Sequence, residues 1–202
     1  AMELVTRTRI NKVRVNAACA KNYQAIMSGL FAPVVRDRMG DVQKVPGRSQ
    51  EHVRHVLVGF LSQKGFCGNF NDRVLGKLFI RLAPLRMHKN VDVFLVGRRS
   101  SKWDYVLKRP FAHIEGHERT YREEFAPFVD SCVKSILEGT RLELYFVYNE
   151  FVTILQQIPV VKQVFPFEQH AGASVKKEIM YEPDAAVLFP ALLKAYIEAS
   201  VE

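Results

Sequence analysis

Apolar or small side chains recur at Val13, Ala20, Tyr23, Met27, Leu30 and Val34 in a stretch, Ala1 to about Met39, that is otherwise rich in polar residues and has no proline before Pro33. Alternating steps of three and four make a seven-residue repeat, which predicts a helix with a narrow apolar seam of the coiled-coil kind rather than a wide stripe. Asn16 interrupts the same register near the start. Three heptads also fit an ordinary amphipathic helix capping a domain, and the pattern alone does not separate the two. Residues 40–50 are polar and centred on Pro46-Gly47, and they predict a linker.

After the linker the period changes. Val53, Val56 to Phe60 and Leu61 form a short β-branched run that predicts a buried strand, ended by the turn Gly65-Phe66-Cys67-Gly68. Asn71 is placed to cap a helix over Asp72 to Leu82, where Val74, Leu75, Leu78, Phe79 and Leu82 recur at helical spacing. The alternation repeats with a strand over Val91 to Val96, a helix from Ser100 or Ser101 through Leu107, and a short strand over Phe111 to Ile114. Thr120-Tyr121-Arg122-Glu123 forms a capping box for a third helix, with Pro127 inside it and Glu138-Gly139 at its end. Leu142 to Tyr148 reads as a strand. Phe151 to Phe167 reads as a further strand interrupted near Ile158-Pro159, antiparallel to its predecessor because too little chain intervenes for a crossover helix. A loop over Glu168 to Lys177 and a short strand over Glu178 to Tyr181 lead to a last helix. Pro183 suits its first position, and Ala185, Leu188, Phe189, Leu192 and Tyr196 give it an apolar face. Strands alternating with helices imply an α/β fold, a mostly parallel three-layer sheet at residues 51–182, between a helix at 1–39 and another starting at 183–202.

Composition narrows the class. With 202 residues, 48% hydrophobic and 25% charged, the chain matches globular proteins and not disordered or collagen-like ones. No stretch approaches the ~18 apolar residues of a membrane span, and nothing at the start reads as a targeting segment. Three cysteines, Cys19, Cys67 and Cys132, cannot all pair with one another, which suggests free thiols in a reducing compartment. Residues 1–110 carry 21 Lys and Arg against 7 Asp and Glu, while residues 111–202 carry 8 against 14. A basic first half suits nucleic acid, an anionic membrane face or an acidic protein, and net charge does not choose among them.

The candidate chemistry is sparse. The glycine turn sits where a Rossmann fold grips phosphate, yet its G-x-x-G spacing with bulky Phe66 and Phe70 departs from the G-x-G-x-x-G dinucleotide fingerprint. A tight turn that needs glycine geometry accounts for Gly65, Cys67, Gly68 and Asn71 without a ligand. Cys67 beside a helix start fits a nucleophile, but no histidine and acid flank it, and a small buried hydrophobe fits as well. His113, Glu115 and His117, and separately His52 and His55, have partial metal-ligand spacing with no second pair to complete a site. Arg7, Arg9, Lys12, Arg14, Arg36 and Arg38 cluster on the first helix without the aromatic interleaving of nucleic-acid modules. No set of acid, base and nucleophile emerges, so no catalytic, cofactor or metal residues are assigned.

Five segments carry a family resemblance. Ala1-Met-Glu-Leu-Val5, Gly65-Phe-Cys-Gly-Asn-Phe-Asn71, Val147-Tyr-Asn-Glu-Phe151, Pro159-Val-Val-Lys-Gln163 and Tyr181-Glu-Pro-Asp-Ala-Ala186 occur in the order found in the gamma subunit of F-type ATP synthases, which the chain resembles over nearly its whole length. The resemblance implies a non-catalytic rotor shaft. Long first and last helices would form an antiparallel coiled coil reaching into the alpha and beta catalytic ring. A Rossmann-like domain beside them would touch the epsilon subunit and the proton-carrying c-ring, peripheral to the membrane on its cytoplasmic, matrix or stromal face. The seam residues then become shaft and the glycine turn a structural element, with no cofactor and no nucleic acid. The opening motif normally lies well inside the first helix, and Glu202 falls where the last helix would be starting, so the expectation is a domain with two helix stubs. A stand-alone nucleotide-binding Rossmann enzyme is the alternative.

Overall fold

The computed structural model describes residues 2–42, 53–63, 65–85, 88, 90–97, 112–114, 121–153, 156–167 and 182–201. In chain order the elements are α1 (Met2–Val42), β1 (Arg54–Phe60), α2 (Phe70–Leu82) with a 3-10 turn at Ala83–Leu85, β2 (Val91–Val96), β3 (Ala112–Ile114), α3 (Tyr121–Leu137), β4 (Leu142–Phe151), β5 (Gln157–Phe165) and α4 (Ala185–Ala199). The chain divides into two compact units: Ala1–Val45 with Gln169–Glu202, and Pro46–Glu168.

The second unit is a five-stranded mixed sheet in the order β3-β2-β1-β4-β5. Its first three pairings are parallel and β4–β5 is antiparallel, as the short β4–β5 connection requires. Central β1 is flanked on both sides and buried along Val56, Leu57 and Val58, which is why its sequence runs apolar without alternation. One face presents Leu57, Val93, Leu95, Tyr145 and Val147 to Val74, Leu75, Leu78 and Leu82 of α2. On the other face the rings of Phe60, Phe94 and Phe146 meet Phe125 and Phe128 of α3. Alternation along each strand therefore produces two separate cores, the second largely aromatic.

Gly59 lets α2 approach the sheet. A Cβ there would lie 3.0 Å from both Leu78 Cδ1 and Leu95 Cδ2. Because those atoms are the ends of flexible side chains, Gly59→Ala is expected to cost about 1 kcal/mol, the low end of overpacking penalties, read as a lowered midpoint in urea unfolding.

Several boundaries differ from the expectation. α2 starts at Phe70, and Asn71 lies inside it and not at its cap; Asn69 holds the cap position without a side-chain bond. Phe151 belongs to β4, and a hairpin turn in which Val152 N and Thr153 N donate to Gln156 O separates it from β5. Pro159 does not interrupt β5, since it pairs with Asn149 on an edge strand, where a missing N–H costs nothing to the ladder; the register shift falls instead between Leu144 and Tyr145. Pro183 precedes α4, whose first turn is closed by Val187 N and Leu188 N donating to Asp184 O. Inside α4 stands Pro190, which leaves one backbone carbonyl without its helical partner. The helix expected at 100–107, the strand at 178–181 and the Thr120 cap lie outside the described residues.

Candidate functional site

Three places could carry function: the glycine turn, a polar cluster at the opposite end of the sheet, and the helix pair. The turn leaves β1 beside β4, at the carboxyl ends of the parallel strands where the connections diverge and α/β folds commonly place ligands. Three of its residues, Ser62, Cys67 and Asn71, bond to one another, while Asn149 Oδ1 beside them is buried without a hydrogen-bond partner among the described residues. Asn71 Oδ1 accepts from Ser62 N at 2.8 Å, Asn71 Nδ2 donates to Ser62 Oγ at 3.0 Å, and Ser62 Oγ lies 3.2 Å from Cys67 Sγ. Asn149 Nδ2 donates to Phe70 O at 2.9 Å, tying the start of α2 to β4. Phe66 and Gly68 have φ of 58° and 56°, in the left-handed region, and Phe66 is fully exposed at the tip with Gly65 before it. Ser62 and Asn149 are the members that sequence inspection missed, being recruited across nine and seventy-eight residues from Asn71.

A Cβ at Gly68 would meet nothing within 4 Å, so its requirement is one of backbone conformation alone. Gly68→Ala is expected to destabilise by about 1 kcal/mol. Gly97, at φ 137° with Leu61 O only 2.9 Å from where a Cβ would stand, combines strain with a clash against backbone. Thermal unfolding should therefore rank Gly97→Ala below Gly68→Ala.

The polar cluster gathers at the amino ends of β1 and β4. His55 and Glu143 are partners in register, and His55 Nδ1 lies 3.0 Å from Glu143 Oε2, off the direction of a hydrogen bond. Tyr145 Oη donates to the same oxygen at 3.0 Å, and Arg81 Nη2 from α2 stands 3.9 Å away with its guanidinium 4.1 Å from the Tyr145 ring centre. The His88 ring meets His55 edge-on at 5.3 Å. Burial holds the His55 pKa below the usual histidine value, opposed by Glu143 and reinforced by His88 and Arg81. On the other face, Arg54 Nε donates to Asp92 Oδ2 at 2.7 Å and Nη1 to Ser135 Oγ at 2.9 Å, joining β1, β2 and α3.

The cysteines are all free thiols. Burial pushes the Cys132 thiol up to about 12, leaving it unionised and unreactive. No group of three or more His, Cys, Asp or Glu side chains able to hold a metal is found among the described residues; His52, Glu115, His117 and the side chain of His113 lie outside them.

In the helical unit α1 and α4 run antiparallel, with Gln24 Nε2 3.4 Å from Ser200 Oγ and Phe31 against both Tyr196 and Phe189. Met27 and Val34 are buried as members of the expected seam, and Ala20 is half-buried. Tyr23 and Leu30 are 44% and 54% exposed, which corrects their placement in it. Gln24 and Phe31 take those turns, so the heptad keeps 20, 27 and 34 but shifts its second position by one residue. The side chain of Val13 is outside the described residues.

A family model described as ATP synthase matches residues 1–202. The ATP synthase gamma chain of Leifsonia xyli subsp. xyli is 29% identical over 216 residues, spanning 100% of this chain and 71% of the relative. That of Pelotomaculum thermopropionicum is 28% identical over 214 residues, again spanning 100% of this chain and 71% of the relative. Among solved structures, a chain of the Tetrahymena thermophila mitochondrial ATP synthase central stalk and c-ring superposes with a TM-score of 0.54 at 16% identity, covering 93% of this chain and 86% of that one. At that identity the superposition establishes a shared fold.

Proposed function

The chain belongs to the ATP synthase gamma-chain family, and from that premise we propose that it is the central-stalk rotor subunit, carrying torque between a membrane c-ring and the alpha and beta catalytic ring and so coupling proton flow to ATP synthesis. The observation that carries this reading is the family match over all 202 residues. The subunit is itself non-catalytic, and chemistry takes place on the ring it turns. Its sheet unit is the Rossmann-like domain of the stalk, and α1 with α4 is part of the antiparallel coiled coil. Gly65, Cys67, Gly68 and Asn71 serve as a structural turn, in keeping with side chains that bond to each other.

Torque transmission requires stiffness, and close-packed interiors deform little. The aromatic contact of the helical unit, Phe31 against Phe189 and Tyr196, supplies that along the shaft, while the two cores of the sheet unit hold that unit itself together. No helix among the described residues is long and apolar enough to cross a membrane. The proposed stalk is peripheral to the membrane and meets epsilon and c subunits on the cytoplasmic face in bacteria or the matrix or stromal face in an organelle. The alternative, a nucleotide-binding enzyme using the Gly65 turn, draws no support from these relatives.

Affinity purification of the tagged chain from its native membranes tests the reading. Epsilon and c subunits should co-elute, and the isolated chain should not hydrolyse ATP. Robust ATPase activity from the pure chain would overturn it.

A further inference from the structure

One ring joins the two helices. Phe31 of α1 is fully buried, 5.0 Å from the Tyr196 ring at an interplanar angle of 18° and 5.8 Å from the Phe189 ring at 28°. Phe189 and Tyr196 are seven residues apart on α4, so their attachment points are about 10 Å apart along the helix axis. A single side chain of α1 therefore sits between successive layers of its partner, as a knob in a hole. The other buried hydrophobic members of the pair, Met27, Val34, Val35, Leu193, Ile197 and Ala199, are aliphatic or thioether side chains. Flexible apolar contacts of that kind resist separation of the helices more than sliding. A planar ring held between two others has to be lifted out before one helix can ratchet past the other by a turn.

We propose that Phe31 is a positioning residue for torque transmission: wedged between Phe189 and Tyr196, it fixes the axial register of α1 against α4 so that the pair turns as one body. The proposal rests on the rotor reading above. Two helices that slip under load return part of each catalytic step as internal motion, so the loss appears in coupling before it appears in hydrolysis.

The test uses the full gamma chain assembled into ATP synthase in sealed vesicles, comparing wild type, Phe31→Ala, the milder Phe31→Leu, and Phe125→Leu as a similarly buried aromatic of the sheet unit. The readout is ion pumping per ATP hydrolysed, per assembled complex. Phe31→Ala should lower this ratio by about twofold or more, Phe31→Leu by less, and Phe125→Leu should leave it at the wild-type value. Gln24 and Ser200 are in side-chain contact across the pair. Gln24→Cys and Ser200→Cys, made in a Cys19→Ser background and joined by a short bifunctional reagent attached through disulfides, because the reach of Gln24 exceeds that of a cysteine, should pin the register and restore coupling to the Phe31 variants, with the gain lost on reduction.

An unchanged ratio in assembled Phe31 variants overturns the proposal, as does a fall that the cross-link does not repair or one that Phe125→Leu shares. Failure of both Phe31 variants to assemble, with or without the cross-link, also overturns it, because Phe31 would then act in folding. A wild-type complex that hydrolyses ATP without pumping contradicts the rotor reading instead.

Discussion

Phe146→Ala is expected to destabilise the sheet unit by about 3–5 kcal/mol, the range for removing a buried aromatic and leaving a cavity. Phe146 is fully buried on β4, its ring 5.2 Å from Phe60 in a near-perpendicular arrangement and 6.3 Å from Phe125 of α3. The neighbours cannot collapse into the space easily, since Phe125 is already held 4.8 Å from Phe128, which is itself 4.7 Å from Phe94. Edge-to-face contacts add roughly 0.5–1.5 kcal/mol per pair beyond area burial, so the effect should fall at the upper part of the range. Urea unfolding followed by far-ultraviolet circular dichroism checks it. A loss below about 0.5 kcal/mol, the scale of an ordinary surface change, would mean that this aromatic layer does not hold α3 to the sheet.

The second large effect is electrostatic. Glu143 Oε2 serves His55, Tyr145 and Arg81 at once, and Glu143→Leu is expected to cost about 1.5–3 kcal/mol at neutral pH, the scale of losing a hydrogen bond to a charged group. The penalty should grow in acid. Burial depresses the His55 pKa in the folded state below its ordinary value of 6.5, so the unfolded chain binds the proton more readily. The stability tied to neutral His55 is fully present above pH about 6.5 and declines as pH falls below it. Glu143 opposes the depression, so removing it pushes the folded pKa lower and steepens the decline. Stability measured across this range should fall toward acid pH in the wild type, fall more steeply in Glu143→Leu, and lose that component in His55→Gln.

Much of the fold is legible in the sequence because local periodicity and burial coincide there. β1, β2 and β4 each read as strands, and the Leu142–Phe146 alternation separates the α2 face from the α3 face. The seam of α1 shows where legibility stops. Ala20, Met27 and Val34 belong to both candidate registers. Tyr23 and Leu30 are apolar while Gln24 is polar, so hydropathy favours the wrong second position. Tertiary contacts settle the choice: Phe31 finds two rings on α4, and Gln24 finds Ser200. Asn71 illustrates a second limit. Its type and place suit a cap, but its amide is drawn to Ser62 and Cys67 by the turn. The His55–Glu143 pair depends on the register of two strands 88 residues apart in sequence, which no local pattern encodes.

Rotation is the property on which the functional reading stands. A reporter attached through Ile80→Cys, on the exposed side of α2, can be followed in single assembled complexes whose alpha and beta ring is fixed to a surface. Addition of ATP should turn the reporter repeatedly in one direction, and a reporter that stays still on complexes that are hydrolysing ATP would contradict the assignment of this chain as the rotor.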